Sequence, residues 1–407
     1  MLTPAPLAMP TLAPLHSSSL EPLRSGSLAP LRIGSLTLAA PVVLAPMAGV
    51  TDHAFRALCR EFAPGLLYVS EMVTARALVE DNRKTLLYLP TVDEPAPRSV
   101  QLYGTAPTTM YEAVRRLVDT HGVQHVDLNF GCPVPKVTRK GGGAALPVRR
   151  RLFADIVGSA VRAAAIDNVP LTVKFRIGID DMLPTFLTAG RIAEAEGAAA
   201  VALHARTAEQ RYSGAARWEA IALLKQSVTS IPVLGNGDIW RPDDALAMIA
   251  STGCDGVVVG RGCLGRPWLF AALADALTGG ATRVAEWYAA PRLADVAPVI
   301  ARHGDLLVAS VGEANAMRTM RRHIGWYLQG YPVGDAVRQR MRFIATTDDL
   351  HAVLAMLEPE QQHLPGAAWL PRGRTDGPQR VVLPDGWLDL IDDPTPPVGA
   401  ELASSGG

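Results

Sequence analysis

Eight short apolar runs alternate with helix-period segments between residues 41 and 260, and no other feature narrows the fold of this chain so far. The runs are 41–45, 66–70, 98–102, 125–130, 171–176, 200–204, 232–234 and 256–260, each rich in Val, Leu or Ile. Most are apolar at nearly every position. A strand wetted on one face alternates apolar with polar residues, whereas one covered on both faces does not. Between the runs, 109–120, 150–165, 185–196, 218–226 and 243–250 repeat apolar residues at helical spacing. Eight strands alternating with helices over roughly 240 residues predict an α/β chain closed into a (β/α)8 TIM barrel. A doubly wound open sheet is the structural alternative.

A barrel makes a sharp demand: functional side chains should gather just past the C-terminal ends of its strands. Those ends carry Pro46-Met47-Ala48-Gly49, Ser70-Glu71-Met72, Gln101, Asn129 with Cys132, Lys174 with Arg176, His204 with Arg206, Gly235-Asn236-Gly237-Asp238 and Gly260-Arg261-Gly262. Polar, ionisable and glycine groups at so many strand ends point to one site.

Within 126–147 a short strand breaks at Gly131, and Pro133 pushes Cys132 out of the helical region. A thiol is thereby held at a strand tip, ahead of a glycine-rich loop with Lys136, Arg139 and Lys140. An inert buried cysteine is the ordinary alternative. Lys174 lies late in its strand, where an ammonium needs an anion: a structural ion pair, or a ligand that becomes negative, such as the N1–O2 edge of a reduced flavin. Gln101 offers a donor and an acceptor, which suits the uracil-like edge of an isoalloxazine ring. His204 and Arg206 share one face of an extended segment; a satisfied core histidine explains the first equally well, the second poorly.

The two glycine-rich loops after the last strands, 235–238 and 260–262, match a barrel phosphate site, where backbone N–H groups and a helix N-terminus face the anion. Residues 260–265 also fit G-x-G-x-x-G. A dinucleotide fold needs a second strand ending in Asp or Glu about 20 residues on, and a helical segment stands there instead. The dinucleotide reading is therefore the weaker of the two.

Outside the barrel the composition shifts. Residues 1–30 are rich in Pro, Ser, Ala and Leu and read as a disordered tail, leaving 31–280 for the barrel. Helical segments at 293–311, 313–329, 333–345 and 347–358 predict a small C-terminal helical domain over 281–365. Pro, Gly and Asp return over 366–407, an extended or disordered tail. Net charge is zero, so a polyanionic partner must be met by a local patch. One candidate lies between 290 and 345, where eight arginines face four carboxylates. Arg318, Arg321 and Arg322 fall there at i, i+3 and i+4, although a merely solvated helix face would look the same. The four scattered cysteines form no C-x-x-C pair, which argues against a zinc, iron–sulfur or disulfide framework and for a reducing cytosol. No metal is expected, nor a membrane span or secretion signal, so the expectation is a cytoplasmic protein.

Residues 45–52 (A-P-M-A-G-V-T-D), 129–133 (N-F-G-C-P), 235–238 (G-N-G-D), Gly260-Arg261 and 265–268 (G-R-P-W) resemble the tRNA-dihydrouridine synthases, in order, from about 33 to 342. The resemblance implies FMN at the barrel mouth, reduced by NADPH or NADH, and tRNA as partner, with a monomer expected. It implies that the Pro46, Met47 and Ala48 backbone lies along the flavin, that Gln101 and Lys174 bond its ring, and that Asn236, Gly237, Asp238, Gly260 and Arg261 hold its phosphate. Asn129, Arg176, His204 and Arg206 would face the uridine or the cofactor, and Glu71 would border the site. Cys132 would be the proton donor, and the arginines at 318, 321 and 322 would meet the RNA. The Gly141-Gly142-Gly143 run is richer in glycine than the family's usual loop.

Saturating the C5=C6 bond of uracil needs a hydride on one carbon and a proton on the other. A thiol with an ordinary pKa of about 8.5 is protonated at neutral pH and can give that proton; a thiolate nucleophile would need a depressed pKa. Two other readings compete: an FMN barrel oxidoreductase of a small pyrimidine or enone, similar to dihydroorotate dehydrogenases, and a non-catalytic RNA-binding barrel. The first needs no basic helical domain, and the second gives no reason for Cys132 and Lys174 to converge with the phosphate loops.

Overall fold

The computed structural model describes residues 28–279, 291–373, 377–397 and 399. The disordered tail expected over 1–30 lies almost wholly outside them, as does the expected boundary near 280.

Two short antiparallel strands, β1 (Leu31–Ile33) and β2 (Leu36–Leu38), precede the barrel. Eight parallel strands then close on themselves: β3 (Val42–Leu44), β4 (Leu67–Thr74), β5 (Ser99–Tyr103), β6 (His125–Phe130), β7 (Leu171–Arg176), β8 (Ala200–His204), β9 (Val233–Asn236) and β10 (Gly256–Val259), with β10 pairing back onto β3. The open sheet is excluded. Alternate residues separate the two faces of each strand. On β6, Val126, Leu128 and Phe130 pack outward, Phe130 edge-on to Phe153 of the helix Arg150–Ala165. The inner face of the barrel's lower half is apolar, through Val43, Leu67, Val69, Ala200, Ala202, Leu234 and Val258. Leu31, Ile33 and Leu38 join that cluster, so the β1–β2 hairpin stoppers the barrel at the end away from the βα loops.

The strand expected over 66–70 continues to Thr74, with its register broken between Val69 and Met72. That bulge carries Ser70 and Glu71, so Glu71 sits within a strand and not in a loop. Bulges re-aim side chains near sites.

The helices Leu293–Val311, Glu313–Tyr327, Gly334–Met341 and Thr347–Leu354 surround a second apolar cluster, which Ala54, Leu58 and Trp268 of the barrel's helical layer complete. Gly265, at φ +65°, lets the barrel approach the helix Glu313–Tyr327: a Cβ there would stand 2.3 Å from the Trp326 carbonyl carbon. The glycine of the apparent dinucleotide motif thus serves packing. Beyond 366 the described residues hold no strand or α-helix, only a short 3-10 turn at Ala367–Trp369 and further turns near 385–392, yet they are anchored. Arg372 is buried and donates to the carbonyls of Leu264 and Gln329, and Trp387 is buried against the barrel. No helix among the described residues is long and apolar enough to cross a membrane.

Candidate active site

The upper half of the barrel interior is polar because β5, β6 and β7 put hydrophilic residues at alternate, facing positions. Gln101 pairs in register with Asp127, Asp127 with Thr172, and Asn129 with Lys174. Gln101 Nε2 donates to Asp127 Oδ2 at 2.6 Å, Thr172 Oγ1 donates to Asp127 Oδ1 at 2.5 Å, and Asn129 Nδ2 donates to Gln101 Oε1 at 2.8 Å. Burial raises the Asp127 pKa, against the hydrogen bonds of Thr172 and Gln101. Burial lowers that of Lys174, aided by Arg176 and opposed by Asp127. The Lys174 ammonium makes no hydrogen bond or ion pair among the described residues.

Cys132 stands above this ladder. Asn129 Oδ1 accepts the Gly131 and Cys132 amide N–H groups at 2.9 and 3.0 Å. Arg176 Nε donates to Gly131 O at 2.8 Å, and its Nη1 to Thr207 O and Arg211 O at 3.0 and 2.9 Å. Asn129 and Arg176, expected to face the uridine, therefore spend most of their donors and acceptors on the loops around the thiol. The reason is burial: a guanidinium only 4% exposed must find acceptors within the protein. Burial brings its pKa down to about 10. The cationic residues expected near the thiol lie elsewhere. Lys136 and Arg139 are exposed, and neither they nor Lys140 line the cavity.

Across the mouth, Gly237 (φ +137°) and Gly260 line the wall where an anion was expected. Asp238 there is held: its carboxylate receives Arg206 Nη2 at 2.7 and 2.8 Å and the Ala216 N–H at 2.7 Å. Arg206 is 2% exposed and also donates to Gly214 O, so it braces this loop and does not reach outward. Its Nη1, however, is buried without a partner among the described residues, about where a Gly237 Cβ would come within 3.7 Å. Asn236 Nδ2 is spent on Val258 O at 2.7 Å. His204 lies between these groups, and burial first, then Arg176 and Lys174, hold its pKa well below the usual histidine range. It is neutral.

Pro46, Met47 and Ala48 form the third wall, in a turn tied by Thr51 to Met47. Glu71 stands behind it and off the cavity wall, accepting the Gly49 N–H at 2.7 Å, and burial raises its pKa. Arg322, from the helix Glu313–Tyr327, donates to Gly49 O and lines the cavity beside Trp326. The enclosed space is about 540 Å³, within the range of small-molecule sites. An unpartnered guanidinium nitrogen at one wall and an unpartnered ammonium at another fit a ligand with anionic groups at two places.

The profile of the dihydrouridine synthase (Dus) family matches residues 43–362. The chain belongs to the dihydrouridine synthase family. Its relatives agree over nearly their whole length. A Mycobacterium tuberculosis (strain ATCC 25618 / H37Rv) protein described as "probable tRNA-dihydrouridine synthase" is 56% identical over 91% of this chain and 96% of the relative. A Mycobacterium leprae protein of the same description is 54% identical over 90% and 100%. The tRNA-dihydrouridine synthase B of Pseudomonas aeruginosa is 39% identical over 80% and 95%. Among solved structures, histamine dehydrogenase from Rhizobium sp. 4-9 is similar at 14% identity and a TM-score of 0.48, over 71% of this chain and 51% of that one, a likeness too loose to bear on chemistry. As a dihydrouridine synthase the chain is an oxidoreductase that converts uridine in tRNA to dihydrouridine, which rules out the non-catalytic reading.

In this family member residues from all eight strand ends meet at one cavity, the second through Met72 and not Glu71, together with Arg322. Arg318 and Arg321 do not reach it. Arg318 is exposed and bonds Asn315 of its own helix at 3.1 Å, while Arg321 Nε is spent on Ile344 O at 2.7 Å. The arginine excess is also smaller than counted, since Arg292 pairs with Glu360 and Arg302 with Glu61. Several lining residues were missed, among them Trp326 beside Arg322. Tyr212 lies under Arg261 at 4.7 Å and Arg176 at 5.7 Å, and Arg211, Trp240 and Gly373 also line the wall. The length of the 205–217 loop was a usable signal for Tyr212 and Arg211; nothing local marks Gly373. Among the described residues no His, Cys, Asp or Glu cluster could hold a metal.

Proposed function

We propose that the chain is an FMN- and NADPH-dependent tRNA-dihydrouridine synthase in which Cys132 gives the proton. A reduced flavin, when bound, supplies hydride to one carbon of the uracil C5=C6 bond. The observation that carries the reading is the placing of the Cys132 thiol on the same cavity as the unpartnered Lys174 ammonium and Arg206 Nη1.

Each residue then has a task. Lys174 and Gln101 would hold the edge of the ring that gains negative charge, with Gln101 oriented by Asp127 and Asn129. Gly237 and Gly260 leave backbone room for the phosphate, towards which Arg206 Nη1 and Arg261 direct positive charge. Neutral His204 can donate one hydrogen bond without adding charge. The Pro46–Ala48 backbone gives a flat wall. Cys132 keeps its proton until the base carbon takes it, and Asn129 fixes the backbone on which the thiol rides. The target uridine has to be turned out of the RNA to reach the cavity. We assign catalysis to the barrel over 31–280 and RNA contact to the helices over 281–365, through Arg318, Arg321 and Arg322.

The test is anaerobic incubation with NADPH and unmodified tRNA, followed by nucleoside mass spectrometry. Dihydrouridine is expected to form, and Cys132→Ala to lower its rate by about 100-fold or more. A yellow, NADPH-reducible protein that makes none would favour the small-pyrimidine reading. Normal turnover by Cys132→Ala would remove the thiol from its role.

A further inference from the structure

The family profile ends at 362, yet the chain beyond it touches the active-site loops. Gln379 N donates to Glu209 O at 2.9 Å, in the loop that carries Arg206 and Tyr212. Further on, Trp387 is 3% exposed and sits on the loop that follows Cys132.

That loop is a single backbone layer with a neighbour pressed on each side. On the inner side, Ala144 N donates to Cys132 O at 3.0 Å, and a Cβ at Gly143 would stand 2.5 Å from the same oxygen. On the outer side, a Cβ at Gly141 (φ +75°) would stand 2.6 Å from the Trp387 ring, and Trp387 Nε1 donates to Ala145 O at 2.9 Å. The extra glycines of the 141–143 run thus give room to the indole on one side and to the cysteine backbone on the other. Trp387 is itself pinned: Arg149 stacks on its ring at 4.5 Å, donates to its carbonyl at 2.9 Å and pairs with Asp393 at 3.0 Å. Arg150 N donates to Ile391 O at 2.9 Å.

We propose that segment 377–397 is a strap across the active face, and that Trp387 is a positioning residue setting where Cys132 stands. The inference rests on Cys132 as proton donor for its catalytic consequence, but not for its structural one. Close-packed interiors transmit displacement, and here only one backbone layer separates the indole from the cysteine.

The experiment uses the full-length holoenzyme and reads alkylation of Cys132 by iodoacetamide, through peptide mass spectrometry, beside dihydrouridine formation at saturating tRNA. Buried Cys59, Cys254 and Cys263 are internal references. In Trp387→Ala, alkylation of Cys132 should change by about fivefold or more and dihydrouridine formation fall about tenfold, with KM for tRNA and NADPH oxidation in air unmoved. Trp387→Phe, which keeps a ring against Gly141, should restore most of both. Unchanged alkylation overturns the strap. Altered alkylation with undiminished product overturns its positioning role, unless Cys132→Ala is also fully active, in which case the proton-donor reading has failed and the strap stands. If Trp387→Ala does not fold, Asp393→Ala with amide exchange over 129–146 decides: no faster exchange overturns the proposal.

Discussion

Asn129 Oδ1 accepts the N–H groups of both Gly131 and Cys132, at 2.9 and 3.0 Å, while its Nδ2 holds Gln101. One amide thus ties the thiol's backbone to the polar ladder of the barrel interior. Asn129→Ala removes that tie and leaves two amide donors and the Gln101 carbonyl short of a partner. Dihydrouridine formation should fall by about 10- to 100-fold in kcat, since displacement of about 1 Å costs that much, with KM for tRNA changed far less. Steady-state kinetics at saturating NADPH checks this; a change confined to KM would mean that Asn129 binds RNA.

Arg318 and Arg321 differ in what their loss should do. Arg318 is exposed and bonds only Asn315 of its own helix, so Arg318→Ala should weaken tRNA binding about two- to fivefold and flatten the log–log salt dependence by about one phosphate contact. Its melting temperature should not move. Arg321→Ala should lose affinity and also melt earlier, because the carbonyl of Ile344 loses its donor. Binding titrations at several salt concentrations, with thermal melts, separate the two.

Glu94 anchors the helix His53–Phe62, which follows β3. Its carboxylate receives Arg56 at 2.6 and 2.9 Å, Arg60 at 2.7 Å and His53 at 3.0 Å. Burial alone would raise its pKa, but the bonds from His53 and Arg56 and the nearby charges hold it well below the carboxylate range. Glu94→Ala leaves Arg56 buried without its counter-ion, which costs about 3–5 kcal/mol. Chemical denaturation should report that loss.

Acid should destabilise the fold through its buried histidines, among them His125, His204, His303 and His323. Burial lowers the pKa of His125 and of His303 to about 3; His303 donates or accepts only towards Tyr327 and has Nε2 without a partner among the described residues. The unfolded chain takes up these protons near pH 6.5 and the native chain does not until about 3, so native stability falls as pH drops through that window. From pH 7 to 5 the loss is about 2 kcal/mol per histidine. His303→Asn should remove its own share of that loss, about 2 kcal/mol between pH 7 and 5, measured as denaturation midpoints against pH.

How much was legible beforehand varies with the kind of residue. The continuous apolar runs announced strands buried on both faces, and the strand ends announced Cys132, Lys174 and the glycine loops, because a barrel puts those ends on one rim. The helix Leu293–Val311 matched its sequence limits because its apolar spacing is local. The strand over 66–70 was cut short because the bulge at Glu71 breaks the alternation that reveals a strand.

What the sequence determined by itself is thus the barrel, the chemistry of its rim and the family. Tertiary structure alone decided how those side chains divide their work. Burial obliged Arg176, Arg206 and Asn129 to bond the loops around them, since polar groups removed from water must find partners, and left Lys174 and Arg206 Nη1 with capacity to spare. It also brought Trp387 from a proline-rich tail, 255 positions beyond the cysteine, onto the loop beside Cys132. No local pattern encodes such a contact, because it depends on where the chain returns and not on what surrounds each residue in sequence.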